Sequence, residues 1–482
     1  MTEYELVVGV EIHAHLLTKT KLFCACPNRF GDRPNANTCP VCLAHPGILP
    51  VANRSAVEKL VKAGLALNCT VHKESRFARK NYFYPDLPKG YQITQYEMPI
   101  CTDGHLTVTG AEGQTRDIRI RRIHLEEDAG KLLHEGVRGG TLVDLNRAGA
   151  PLMEIVTEPD FRSVEEVYDF LTQLRRILRY LNVCDGNMEE GSMRCEPNIS
   201  IRPRGTEALG VKIELKNINS FKAARRGIEY EVARQTLVLD RGEKLRQETR
   251  GWDENKEESF LMRVKEDAHD YRYFPDPDLP PLKIDSAWVD EIRRNTEELP
   301  LPRKRRIMQV FELGEADADV LCAEAPVAEF FEATARDAGD GKLAANWVMG
   351  EVLHVVRAGG RIESFPIRPN RLAELIRLIR SGRISSTIAK KVFEMMLTSS
   401  SSPEAIVEAG GLSVVSDEAA ILAAIEEVLS VNADQVRQFL GGKEKVLGFL
   451  VGQTMKKMKG KADPASLNRL MLEAVERRRP TG

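Results

Sequence analysis

No uninterrupted apolar run of about 18 residues occurs in the 482-residue chain, which excludes a membrane-spanning helix. The first sixteen residues lack a basic start, and Glu11 and His13 break their apolar run, so they do not read as a secretory leader and the cytoplasm is the expected compartment. Charge of one sign is lacking as well. With 69 Lys and Arg against 71 Asp and Glu the net charge is −2, so contact with nucleic acid would have to come from a local patch. There is no G-x-x-x-x-G-K-[ST] loop, no strand-linked G-x-G-x-x-G and no H-E-x-x-H, so a nucleotide site here is neither P-loop, Rossmann nor ordinary kinase. A glycine- and serine-rich amidase nucleophile loop is missing too. Nine cysteines are an odd number for a disulfide framework, and in a reducing compartment clustered cysteines point to metal instead.

What is present reads as a soluble α+β protein of roughly three domains. To about residue 290, short β-rich runs such as Glu5–Val10 and Asp117–Arg121 alternate with helices. Two helices stand out. One runs from Ser55 to about Leu67. The other runs from Ser163 to Tyr180, where Ser163 and Glu166 form a capping box ahead of an apolar stripe of Val167, Phe170, Leu171, Leu174 and Leu178. Proline-rich segments at 273–281 and 299–302 place a boundary near residue 295, after which strand signals almost cease. The expected organisation is a β-rich catalytic domain over 1–294, an all-α domain over 295–410 ending in a serine run, and a small helical tail over 411–482. Residues 435–482 carry eleven Lys and Arg against four acids, a balance suited either to a phosphate backbone or to a solvated basic terminus.

The pair Cys24-x-Cys26 followed by Cys39-x-x-Cys42 predicts a four-thiolate structural zinc site, closed because all four tetrahedral positions are filled. Just before it, the alternation Val10-Glu11-Ile12-His13-Ala14-His15 puts Glu11, His13 and His15 on one face of a strand. Alone, that pattern suits a metal or phosphate site, a metal-dependent hydrolase or a solvated sheet face. Three adjacent carboxylates at Glu126, Glu127 and Asp128, and Glu154 within an apolar strand, are costly unless cations neutralise them; with a histidine they suit Mg²⁺ and leave positions for phosphate oxygens. The segments 79–86, 188–196 and 214–221 are dense in Lys, Arg, Asn and Ser, groups that neutralise and orient phosphate, although asparagine-rich turns would look similar.

Eight motifs in order give the chain a full-length resemblance to the GatB family of tRNA-dependent amidotransferase components. They are GVEIHAHL (9–16), the C-x-C and C-x-x-C pair, FARKNYFYPDLPKGYQITQYEMPI (77–100), HLEEDAGK (124–131), VDLNRAGAPLMEIVTEPD (143–160), MEEGSMRCEPNISIRP (188–203), ELKNINSF (214–221) and DYRYFPDPDLPPL (270–282). The resemblance implies a catalytic cradle, a helical domain and a tail that helps hold tRNA. It implies a glutamine-dependent carbon–nitrogen ligase that uses ATP and Mg²⁺ to phosphorylate the side chain of Glu on tRNA(Gln), or Asp on tRNA(Asn), before ammonia displaces the phosphate. Ammonia would come from a glutaminase partner, GatA, with a small third partner, GatC, completing a heterotrimer. Carried onto this sequence, the resemblance implies His13, Glu127 and Glu154 as Mg²⁺ ligands, Glu11 and Glu126 as nearby catalytic carboxylates, and Lys80 and Arg194 as phosphate contacts. Tyr82, Ser192, Glu196, Glu214, Lys216, Asn217 and Asn219 would line the ATP and aminoacyl pocket, and Cys24, Cys26, Cys39 and Cys42 would hold zinc apart from the reaction. A non-catalytic tRNA-binding scaffold is the rival reading.

Overall fold

The computed structural model describes residues 3–133, 139–264, 271–413, 418–458 and 461–479. Two compact units result, Met1–Pro300 and Leu301–Gly482.

In the first unit the strands are β1 (Tyr4–His15), β2 (Thr70–Val71), β3 (Glu74–Ser75), β4 (Ala78–Asn81), β5 (Tyr91–Thr94), β6 (Cys101–Thr109), β7 (Thr115–Glu127), β8 (Lys131–Leu133), β9 (Leu142–Asp144), β10 (Pro151–Thr157), β11 (Met193–Pro203), β12 (Ile213–Lys216), β13 (Glu248–Asp253), β14 (Glu258–Val264), β15 (Phe274–Pro275) and β16 (Leu282–Lys283). Its helices are α1 (Arg54–Ala66), α2 (Val164–Tyr180), α3 (Phe221–Asp240) and α4 (Ser286–Arg294). Nine strands form one sheet in the order β14-β13-β12-β11-β1-β10-β7-β6-β2, and β15-β4-β5 form a small second sheet. Among the described strands of the large sheet, only β12 and β13 pair in parallel, because the crossover helix α3 lies between them in the chain.

Alternation along β1 decides which side of the sheet is dry. Val8, Val10, Ile12 and Ala14 join one core with Leu60 of α1, Phe170 and Leu174 of α2 and Ile228 of α3. Each fully buried Leu or Phe contributes about 1.5–3 kcal/mol, so Leu174→Ala should cost about 2–5 kcal/mol once its cavity is counted. Helix α2 starts where its sequence says it should. The Ser163 hydroxyl accepts from Glu166 N, and the Glu166 carboxylate accepts from the Ser163 backbone N–H. Asn53 caps α1 by accepting from Ser55 N and Ala56 N.

In the second unit the elements among the described residues are all helices, from the one at Pro300–Phe311, which begins on the boundary, to Pro464–Glu476. It holds two hydrophobic clusters, one around Phe331, Val348, Ile376 and Val392, the other around Ile421, Ile425, Leu450 and Met471. The basic tail is partly neutralised within this unit. Lys457 pairs with Glu427, Arg469 with Glu418 and Arg478 with Glu426, so over 418–479 eleven Lys and Arg meet eight acids. No helix among the described residues is long and apolar enough to cross a membrane.

Candidate active site

Strand register builds the site. On the sheet face opposite the helices, Arg194 of β11, His13 of β1, Glu154 of β10 and His124 of β7 are successive cross-strand partners, forming one row across four strands. Directly paired residues project from the same face, so these four side chains stand side by side. The next row is Glu196, Glu11, Val156 and Arg122; on the other flank His15 pairs with Leu152, which pairs with Glu126. A cavity of about 370 Å³ opens over these rows. Six carboxylates (Glu11, Glu126, Asp128, Glu154, Glu196, Glu214) and six Lys or Arg (Lys80, Arg122, Arg194, Lys212, Lys216, Arg263) line it, a balance that admits an anionic substrate.

At its floor, His13 Nε2 lies 3.4 Å from Glu154 and 3.7 Å from Glu126, and His124 Nε2 lies 3.4 and 3.6 Å from the same two carboxylates. Thr94 Oγ1 donates to Glu126 at 3.0 Å. Burial favours a neutral His13, but its hydrogen bond to Glu154 and the charges of Glu154, Glu126 and Glu196 outweigh that and raise its pKa to about 9. His124 is raised by the same two carboxylates against the same burial. Burial alone would raise the pKa of Glu154, but the two imidazoles hold it well below the usual carboxylate range. The imidazole protons thus take the electrostatic place a divalent cation would fill. Donor atoms of His13, Glu126 and Glu154 all lie within 4.8 Å of one another, which fits a hard cation with two carboxylates and one imidazole and leaves further positions for water and phosphate oxygens.

A second acidic group lies alongside. Burial, Glu154, Glu196 and Glu214 raise the pKa of Glu11, and Asn198 Nδ2 donates to it at 3.2 Å. Lys216 bridges Glu196 at 2.7 Å and Glu214 at 3.3 Å. Asp128 accepts from His15 at 2.7 Å and Arg194 at 3.0 Å; burial opposes its charge, but Arg194, His15 and Arg147 hold its carboxyl far below the usual range. Lys80 enters from β4 with its pKa raised, burial being outweighed by Glu126, Tyr273 and Glu154.

Of the residues expected to hold metal, His13 and Glu154 come together with Glu126 in the place expected for Glu127. One residue further along β7, Glu127 turns away, accepting from Lys89 Nζ at 2.6 Å and from Ile93 N at 3.0 Å. Four expected pocket residues, Tyr82 among them, lie outside the cavity lining. Ser192 closes a turn with Asp185 and Asn187, Asn219 lines a separate hollow with Arg175 and Phe221, and Asn217 sits at positive φ just beyond β12. Tyr82 stands behind the wall, its hydroxyl donating to Gln92. Sequence reasoning gave Asp128 only as one of three adjacent carboxylates, and named neither His124 nor Tyr96, Tyr271 and Tyr273 as site residues. His124 shares the parity of Glu126 on β7, a signal that was available; Tyr271 and Tyr273 reach the site beside the β15–β4 pairing, and Tyr96 just after β5.

The four-cysteine loop also closes. All four sulfurs lie within 4.8 Å of one another, Cys39 N donates to Cys42 Sγ at 3.1 Å, and the cysteines are free thiols rather than bridges. The hydrogen bond from Cys24, then the Cys39 N–H and the charge of the buried Lys21, lower the pKa of Cys42 against its burial. A complete set of four sulfur donors fits zinc in a structural role.

Hard oxygen and imidazole donors set among Lys and Arg, on an open sheet, suit an enzyme that handles anionic substrates, and they could hold a divalent cation. Residues 6–290 match the GatB/GatE catalytic domain and residues 329–475 the GatB domain. The chain is 52% identical over 473 residues to the GatB component of the aspartyl/glutamyl-tRNA(Asn/Gln) amidotransferase of Trichlorobacter lovleyi, covering 98% of this chain and 99% of that one. It is 51% identical to the protein of that name from Geobacter sulfurreducens and 49% to that from Thermodesulfovibrio yellowstonii, over 98% of this chain in both cases and 99% and 100% of theirs. This chain belongs to the GatB family.

Proposed function

We propose that this chain is the kinase and transamidase component of a cytoplasmic, glutamine-dependent amidotransferase acting on misacylated Glu-tRNA(Gln), Asp-tRNA(Asn) or both. The side-chain carboxylate of the attached amino acid attacks the γ-phosphorus of ATP, ADP leaves, ammonia then attacks the acyl carbon, and phosphate and a proton depart. Activation is needed because direct amidation would expel oxide, whereas phosphate is a stable leaving group. The observation that supports this reading best is the row of His13, Glu154 and His124 with Glu126 beside it: buried carboxylates facing imidazoles, in a cavity whose Lys and Arg equal its acids. A scaffold that only held tRNA would gain nothing from burying them.

His13, Glu126 and Glu154 would hold Mg²⁺, which screens the charge of two approaching anions. Lys80 and Arg194 then steady phosphate oxygens, Arg194 being fixed at 3.0 Å by Asp128. Glu11, kept easier to protonate by burial and then by its acidic neighbours, stands ready to take a proton from the attacking nitrogen. Ammonia is supplied by the glutaminase partner, with a small third partner completing the complex, and zinc in the cysteine loop serves folding alone.

The test is to co-express the chain with its glutaminase and small partners, supply Glu-tRNA(Gln) or Asp-tRNA(Asn), ATP, Mg²⁺ and ammonium chloride, and measure ADP and amidated tRNA. Both should appear together and vanish with Glu154→Gln. Binding of tRNA without ADP formation would leave the scaffold reading standing instead.

A further inference from the structure

One wall of the cavity is aromatic beyond anything the chemistry of phosphate requires. Tyr96, Tyr271 and Tyr273 line it, and Tyr82 and Tyr84 continue their row beyond the lining. Tyr84 meets Tyr82 edge to face at 6.1 Å, Tyr82 meets Tyr271 at 6.2 Å, Tyr271 meets Tyr273 at 6.0 Å, and Tyr273 stacks on Tyr96 with centroids 4.1 Å apart and planes within 4° of parallel. Lys80 Nζ sits 5.0 Å from the Tyr271 ring and 5.9 Å from the Tyr82 ring, so the middle of the row adjoins the carboxylate cluster. The end at Tyr84 lies open. Tyr84 is 62% exposed and its neighbour Phe83 is 89% exposed.

These exposed rings are held, not merely left over. Gly90, at φ +74, brings its backbone so close under Phe83 that a Cβ there would lie 2.9 Å from the ring. The 271–275 segment is fixed by the β15–β4 pairing and by Arg79, which reaches Asp276 and Asp278 at 2.8 Å each while lying over the Tyr91 ring. Aromatic rings placed in a row, half-buried at Tyr271 and Tyr273 and exposed at Phe83 and Tyr84, match what unpaired nucleobases stack upon. In the reaction proposed above, on which this inference rests, the amino acid is esterified to the last adenosine of a single-stranded 3′ end. That end must come to the Glu126 and Lys80 side of the cavity.

We propose that the row of Tyr84, Tyr82, Tyr271, Tyr273 and Tyr96, extended outward by Phe83, is the stacking platform for the unpaired 3′ end of the aminoacyl-tRNA. Several successive rings suit several successive unpaired bases, whereas ATP brings only one base. Tyr84 and Phe83 would guide the strand inward and position the ester, without contact with the transferring phosphate.

The test uses the full chain in its complex with the glutaminase and small partners. Affinity for Glu-tRNA(Gln) or Asp-tRNA(Asn) is measured by filter binding, and KM for ATP by ADP release, for wild type, Tyr84→Ala, Phe83→Ala and Tyr84→Trp. Each lost ring should weaken tRNA binding by on the order of tenfold with the ATP KM unchanged, and Tyr84→Trp should restore it. A tRNA lacking its terminal unpaired nucleotides should bind wild type and Tyr84→Ala alike. Unchanged tRNA affinity in both alanine variants, or a raised KM for ATP alone, overturns the proposal, the latter by assigning the rings to the base of ATP. If ring loss weakens tRNA binding while the wild-type complex forms no ADP, the platform stands and the kinase reading fails; if ADP forms and ring loss changes nothing, the platform alone fails.

Discussion

The cysteine loop and the imidazole–carboxylate cluster both gather potential metal ligands in the first unit, and they do so by opposite means. The loop takes its four sulfurs from nineteen consecutive residues, Cys24 to Cys42, so local turns suffice to close it. The cluster takes its groups from residues 13, 126 and 154, which meet only because three distant strands pair in one register. Soft donors in a closed set contribute to folding, whereas hard donors left open to a cavity of about 370 Å³ contribute to chemistry.

The sharpest way to break this contrast is to change one carboxylate. Glu154→Gln and Glu126→Gln should each lower ADP formation about a thousandfold, the several kcal/mol a metal supplies to developing charge, with tRNA binding retained. Glu127→Ala should behave differently although it adjoins Glu126. It strands the Lys89 ammonium, itself only 11% exposed, and should cost about 3–5 kcal/mol of stability in chemical denaturation, while the folded enzyme keeps its activity. A thousandfold loss of activity in a stable Glu127→Ala protein would reverse the ligand assignment.

On the sulfur side, Cys42→Ser should lower zinc content from one per chain and drop the unfolding midpoint by about 5–10 °C, with ADP formation at low temperature within about twofold of wild type. Loss of activity in step with zinc would erase the division of labour between the two sites.

The smallest expected effect is on pH. His13 is raised from about 6.5 when unfolded to about 9 when folded, so in the metal-free chain its charge stabilises fully below pH 6.5, and that contribution is lost as pH rises through about 9. The same proton competes with Mg²⁺. Apparent Mg²⁺ affinity should therefore climb about tenfold per pH unit between pH 7 and 9, with proton release visible by calorimetry in buffers of different ionisation heat. A flat profile would remove His13 from the ligand set.

Much of this was legible in the sequence because it is written locally. Period-two alternation placed Glu11, His13 and His15 together on β1, the Ser163–Glu166 box marked the start of α2, and the cysteine spacing announced its own cluster. The choice between Glu126 and Glu127 was not legible. Parity says only that they point opposite ways; which one faces β1 depends on Glu154 pairing with His124 rather than with a neighbour. Ser192, Asn217 and Asn219 looked like pocket residues because asparagine and serine serve phosphates and turns equally well; here Ser192 closes a turn, and the other two lie off the cavity lining. The tyrosines of 271–273 carried no signal until β15 met β4.

β1 precedes every other described strand of the large sheet in the chain and lies near its middle, hydrogen-bonded to β10 on one side and β11 on the other. Neither partner exists until synthesis has passed residue 151, and the second is not complete until residue 203. For that whole interval the nascent chain carries an orphan apolar strand containing Val7, Val8, Val10 and Ile12 with both edges open. Such a segment invites pairing with neighbouring chains, so this protein should depend on a chaperone that shields emerging chains, and the dependence should end once β11 has been made.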